Sequence, residues 1–152
     1  MAHQRIESFE AFWPYYLSEH RNPWCRIVHF IGTSGFLCWL IFCLIERPAA
    51  LGAALAFCLV LGTVSFKLEG KRSAGPVLLA MIAAIALAHP AVFAGVVFAY
   101  GWAWVGHFRI EGNRPATFTY PLWSLAGDFR MYGQMCTGRL WSGDPAATAP
   151  TR

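Results

Sequence analysis

Charge is scarce in this sequence: Asp, Glu, Lys and Arg together make up 13% of 152 residues, against 57% hydrophobic ones. Soluble domains carry roughly 25% charged and roughly 45–50% apolar residues, so the composition excludes a conventional soluble domain and implies a small integral membrane protein. No CxxC pair occurs, and the five cysteines are an odd number with three inside apolar runs. That excludes a disulfide framework and a zinc knuckle. Residues 1–19 lack the basic start, apolar core and small-residue cleavage site of a cleavable leader, so a retained, cytosolic N-terminus is expected. No internal repeat and no second soluble domain is visible. No acidic residue interrupts the middle of an apolar run, where transport pathways place one. The formal charge of +4 comes from basic residues that flank apolar segments, which points to membrane lipid as a partner and away from nucleic acid.

What is present is four apolar runs, 30–45, 49–66, 75–88 and 91–108, separated by Glu46-Arg47-Pro48, the charged stretch 67–73 and His89-Pro90. A spanning helix needs about 20 residues. The first and third runs are short, and cross only if flanking turns extend them; shallow hairpins are the alternative. With four crossings, eleven of the twelve Lys and Arg lie on the side of the termini and only Arg47 on the other, which places both termini in the cytosol. Residues 6–20 put Ile6, Phe9, Trp13, Tyr16, Leu17 and His20 on one helical face, with Pro14 expected to split the helix. Residues 115–135 read as a second amphipathic piece, with Phe118, Tyr120, Trp123, Leu125, Phe129 and Tyr132 in the headgroup zone. The expected fold is an all-α integral membrane protein: a four-helix transmembrane bundle with amphipathic N- and C-terminal interfacial helices. It forms one domain over 1–141, followed by a disordered tail at 142–152.

An even number of crossings returns His107, at the end of the fourth run, to the boundary where His29 opens the first and His20 precedes it. His89, 18 residues before His107, is about 27 Å away along a helix and is expected on the opposite face. Three imidazoles at one boundary suit a divalent metal such as Fe(II) or Zn(II). Glu111, four residues after His107, shares its face in an α-helix, as a carboxylate ligand or as the acceptor that orients an imidazole; Asn22 is a further polar partner. Other roles stay open. Interfacial histidines also serve as amphipathic anchors, and Glu111 can pair with Arg109, Arg114 or water. Arg26, Arg109 and Arg114 either snorkel to lipid phosphates or clamp a substrate carboxylate. Tyr100, Trp102 and Trp104 read as interface packing before they read as a substrate box.

Two patches, HRNPWCRIVHFIG at 20–32 and WVGHFRIEGNRPATF at 104–118, resemble the 2-hydroxy fatty acid dioxygenases, the family named for metabolism of phytosphingosine to odd-numbered fatty acids. The matching residues are His20, Asn22, His29, Gly106, His107, Glu111, Arg114, Pro115 and Ala116, and the resemblance spans most of 8–135. It implies an Fe(II)-dependent enzyme of fatty acid α-oxidation that converts a 2-hydroxy fatty acid and O2 to the acid one carbon shorter. The essential histidines it implies, as iron ligands, map onto His20, His29 and His107, and a fourth would have to be His89, on the other side by the topology above. Beside them the residues offer Glu111 as a further catalytic candidate and Arg26, Arg114 and Asn22 on the substrate side. One departure is Ala103, where some members carry Gln; specificity is expected to differ there. Competing readings are a di-metal hydroxylase or desaturase, a haem protein, and a non-catalytic membrane lipid-binding or scaffold protein with interfacial histidines. The first needs HxxxH and HxxHH clusters, and the five histidines form none.

Overall fold

Asn22 opens the longest element of the chain. Its side chain accepts a hydrogen bond from the Trp24 backbone N–H at 2.9 Å, and Pro23 supplies a preset φ at the first helical position, so helix α2 occupies Pro23–Glu46. This computed structural model describes residues 6–67 and 75–145, and five further α-helices accompany α2: α1 (Phe9–Ser18), α3 (Pro48–Phe66), α4 (Gly75–Ala88), α5 (Val92–Val105) and α6 (Pro121–Cys136). α5 runs directly into a π-helical turn, Gly106–Glu111, and a 3-10 turn, Ala116–Phe118, precedes α6. The described residues are all-α, with no strand among them. Two helices, α2 and α3, are long and apolar enough to cross a membrane. Residues 146–152 of the expected tail and 68–73 of the expected charged loop lie outside the described residues.

α2 packs chiefly along α5. The seam is close because glycine lines it: a Cβ on Gly32 would sit 3.0 Å from the Ala99 carbonyl oxygen, and one on Gly106 would sit 2.9 Å from the Cys25 sulfur. Small residues at such crossings let helices gain dispersion contacts where lipid supplies no hydrophobic drive. Packing is then concentrated at two ends. At one, Phe12, Tyr16, Ala116, Tyr120, Trp123, Met131 and Met135 form an aromatic dome between α1 and α6. At the other, Cys43, Leu51, Ala54, Ala88 and Val92 form an aliphatic cluster. Outward faces remain strongly apolar, with Ile45, Leu59, Val60, Leu87 and Val97 exposed.

Several expectations are corrected. Pro14 lies inside a continuous α1; the carbonyl it strips of a partner belongs to exposed Glu10, where water can satisfy it. The buried stripe of this segment is Phe12, Tyr16 and His20, with Trp13 only half-buried under the Arg130 guanidinium. Tyr120 and Trp123 are buried in the dome and are not headgroup-facing. Of the expected tail, residues 142–145 are described, and they continue a C-terminal segment that turns back on the bundle. It reverses at Gly138 and Leu140, both at positive φ, and lies against the start of α2. There the buried Arg26 guanidinium donates to the carbonyls of His20, Arg21, Leu140, Ser142 and Gly143 at 2.7 to 3.2 Å, while Arg21 pairs with Asp144 at 2.6 Å.

Candidate metal centre

Three different local devices deliver the three imidazoles. His20 follows the last turn of α1, where its ring stacks on Tyr16 with centroids 4.2 Å apart and its Nδ1 lies 2.7 Å from the Tyr16 carbonyl oxygen. His29 sits in the second turn of α2 with its Nδ1 3.3 Å from Asp128 Oδ1 on α6. His107 is carried by the π-helical turn, and Gly112, at φ +70, ends that turn and folds the chain back. The reversal brings the Asn113 backbone N–H to the His107 carbonyl at 3.0 Å and the Asn113 Oδ1 to His107 Nδ1 at 2.8 Å. π-Helical turns concentrate at functional positions, and this one supports a histidine.

The partners decide the tautomers. A carbonyl and a carboxylate only accept hydrogen bonds. The Asn113 amide nitrogen donates to the Glu19 carbonyl and carboxylate, both at 2.9 Å, so its oxygen must face His107. The Nδ1 of His20 and of His107 therefore carries the proton and their Nε2 keeps a lone pair, while His29 Nδ1 faces the Asp128 carboxylate at 3.3 Å. Nε2 of His20 and of His29 are buried with no partner in the protein, an arrangement that costs about 1–3 kcal/mol per group unless something binds there. The rings approach edge to face with centroids 4.7, 4.7 and 5.1 Å apart, and the ligand atoms lie within 4.8 Å of one another. Bonds of about 2.0–2.1 Å from imidazole to metal close that gap with small side-chain adjustments. Three imidazoles whose second nitrogens face acceptors can hold a divalent metal.

Electrostatics keep the site ready. Burial, reinforced by His29 and His107, holds His20 well below the ordinary imidazole range, so it stays a neutral ligand. Burial, reinforced by Asp128, holds the Tyr16 phenol well above its usual range, and its hydroxyl donates to Asp128 Oδ1. Glu19 is raised by burial and by the nearby Glu111 carboxylate, with the Asn113 amide opposing. For His20 the consequence has a sign. Below an ordinary value of 6.5 the unfolded chain binds a proton that the folded site refuses. The metal-free protein is therefore expected to lose stability as pH falls below that value, by up to about 1.4 kcal/mol per unit; thermal melts across pH, flattened by His20→Phe, read the effect.

A cavity of about 530 Å3 begins at this cluster, with Tyr16, His20, His29, His107 and Asp128 at its head. It extends between α2, α3, α4 and α5 to Leu40, Leu55, Ile85 and Val92, and its walls are almost wholly apolar. Of the residues singled out from the sequence, the structure brings His20, His29 and His107 together. The others lie elsewhere. Glu111 Oε1 accepts the Asn22 backbone N–H at 2.6 Å; a π-helical turn winds more residues per turn than an α-helix, so the fourth residue after His107 no longer stands over it. Asn22 caps α2. Arg26 is consumed by backbone carbonyls, as described, and Arg114 stacks over Phe118 at 4.7 Å; neither lines the cavity. Exposed Arg109 does not line it either. Tyr100, Ala103 and Trp104 do line it, while Trp102 faces Gly32. His89 is at the far end of α2 and α5, 3.2 Å from Glu46.

Asn113, Asp128, Tyr16 and Glu19 were not legible as partners from spacing alone. Two signals point to them in hindsight: Asn113 follows a glycine at a helix end, and Asp128 is the one acidic residue between 115 and 135. Asn113→Ala and Asp128→Ala are each expected to weaken metal binding about 10–100-fold by freeing an imidazole to rotate or change tautomer, measured by chelator competition.

Neither the curated proteins nor the solved structures searched give a match. The two patches around the histidines and the intervening helices do find a family, and by its match over residues 6–140 this chain belongs to the one described as 2-hydroxy-palmitic acid dioxygenase Mpo1-like.

Proposed function

We propose that this chain is an Fe(II)-dependent dioxygenase of fatty acid α-oxidation, converting a 2-hydroxy fatty acid and O2 to the fatty acid one carbon shorter. The observation that carries this reading is the junction of the histidine cluster with the apolar cavity: a site for a divalent metal opens onto a space for an alkyl chain. His20, His29 and His107 would hold the iron. When bound, it supplies the positive charge and the redox chemistry toward O2 at a cavity whose lining has no Lys or Arg among the described residues. The chain's own groups do the rest. Tyr16, Asp128 and Asn113, the last held by Glu19, fix the imidazoles, and the walls from Thr33 to Val92 exclude water and align the alkyl tail so that the hydroxy-acid end meets the histidines.

The same reading places the protein in a membrane as a single domain with four crossings, α2 to α5, both termini cytosolic, and α1 and α6 at the interface. Its support is that α2 and α3 are long enough to span and that only 17% of each most apolar window is buried, unlike the core helix of a soluble protein. The π-helical turn also lengthens α5. The test is metal analysis of anaerobically purified protein followed by incubation with a 2-hydroxy fatty acid under O2 and mass spectrometry of the product. Stoichiometric iron and loss of one carbon are expected; an active iron-free preparation, or an iron-loaded one that converts nothing, overturns the proposal.

A further inference from the structure

The cavity has a floor as well as a head. Leu40, Leu55, Ile85 and Val92 line its far end against a packed cluster in which Cys43 and Leu51 are fully buried, with Ala54 and Ala88 at 8% and 9% exposure. Val92 precedes His107 by 15 residues along the continuous α5 and π-helical turn, a depth of a little over 20 Å at about 1.5 Å per residue. With carbon–carbon bonds near 1.5 Å and angles near 111°, an extended alkyl chain advances about 1.25 Å per carbon. The depth matches about 16–18 carbons.

We propose that the cluster of Cys43, Leu51, Ala54, Ala88 and Val92 is a ruler that sets the upper chain length of the acid this protein takes. The inference rests on the fatty-acid reading above and adds the residues that impose its limit. Up to the floor, each methylene leaves water or lipid for a waiting apolar wall. Beyond it, the chain must break a packed cluster whose members have no space to yield. The competing route is lateral: a second groove of about 510 Å3 between α3, α4 and α6 shares Leu55, Cys58, Met81, Leu125 and Phe129 with the cavity, and a tail leaving through it would never meet the floor.

The experiment measures binding of 2-hydroxy fatty acids of increasing length to metal-free, full-length protein, by displacement of a fluorescent fatty acid. Wild-type affinity is expected to rise by up to about fourfold per carbon and then stop rising. Val92→Phe moves the stopping point to shorter acids and Leu40→Ala moves it to longer ones; opposite shifts separate the ruler from general destabilisation, and Ala54→Val replaces Val92→Phe if that variant does not fold. A stopping point common to all variants, an affinity that never levels, or no binding at any length overturns the ruler. Turnover of the iron-loaded protein is scored separately. Shifted stopping points without loss of a carbon leave the ruler standing and remove the oxygenase reading; loss of a carbon with unmoved stopping points does the reverse.

Discussion

His29→Ala is expected to yield a folded protein that retains no metal and converts no 2-hydroxy fatty acid. His29 is the candidate ligand carried by the second turn of α2, between Asp128 on one nitrogen and the cluster on the other. Its loss leaves two imidazoles, and the deficit in metal affinity must exceed the roughly 10–100-fold typical of removing an outer-sphere partner. Folding should survive, because the variant also deletes one of the cluster's two buried, unpartnered ring nitrogens. That relief of about 1–3 kcal/mol offsets lost packing. Elemental analysis and the thermal shift on anaerobic addition of Fe(II) are the readouts: wild type should show both, His29→Ala neither. His89→Ala, at the other end of the bundle against Glu46, is the control and should keep its metal. A His29→Ala protein with stoichiometric iron would remove the three-histidine assignment.

The second large effect concerns stability. Arg26→Ala is expected to cost about 1.5–3 kcal/mol, the range for hydrogen bonds made by a charged group. The guanidinium is 0% exposed and serves five carbonyl oxygens from two distant stretches of chain, 20–21 and 140–143. Without it those oxygens lose their shared donor at the turn that carries His20. Lysine offers three donors on a flexible stem in place of a planar five-donor fork, so Arg26→Lys should recover only part of the loss. Unfolding in detergent measures the difference, and limited proteolysis should cut the 139–144 segment first. If Arg26 clamped a substrate carboxylate instead, Arg26→Lys would raise KM and leave the melt unchanged.

The contrast between Arg26 and the histidines shows what spacing can carry. Run lengths and charged breaks bring His20, His29 and His107 to one boundary, because a histidine at the end of an apolar run has few places to go. The helical character of the chain is equally plain in those runs. Arg26 looks like a carboxylate clamp because three of its five carbonyl partners arrive from 114 to 117 residues away, and no local pattern announces a backbone reversal at Leu140. Glu111 looks like a partner of His107 because α-helical spacing assumes an α-helix; the π-helical turn breaks that assumption, and Gly112 then hands the role to Asn113. Asp128 reaches His29 across 99 positions, a pairing that only the docking of α6 creates.

The dome at one end and the aliphatic cluster at the other leave the middle of the molecule without its own filling. Interior surface with nothing opposite forfeits dispersion energy, and on the fatty-acid reading an acyl tail supplies those contacts along the cavity walls. Substrate and product then act as stabilising components as well as reactants, and occupancy raises the melting temperature in proportion to the logarithm of free ligand over its dissociation constant. If the proposed function holds, the working form of the protein in a bilayer rich in fatty acids is one in which an acyl chain serves as part of the hydrophobic core.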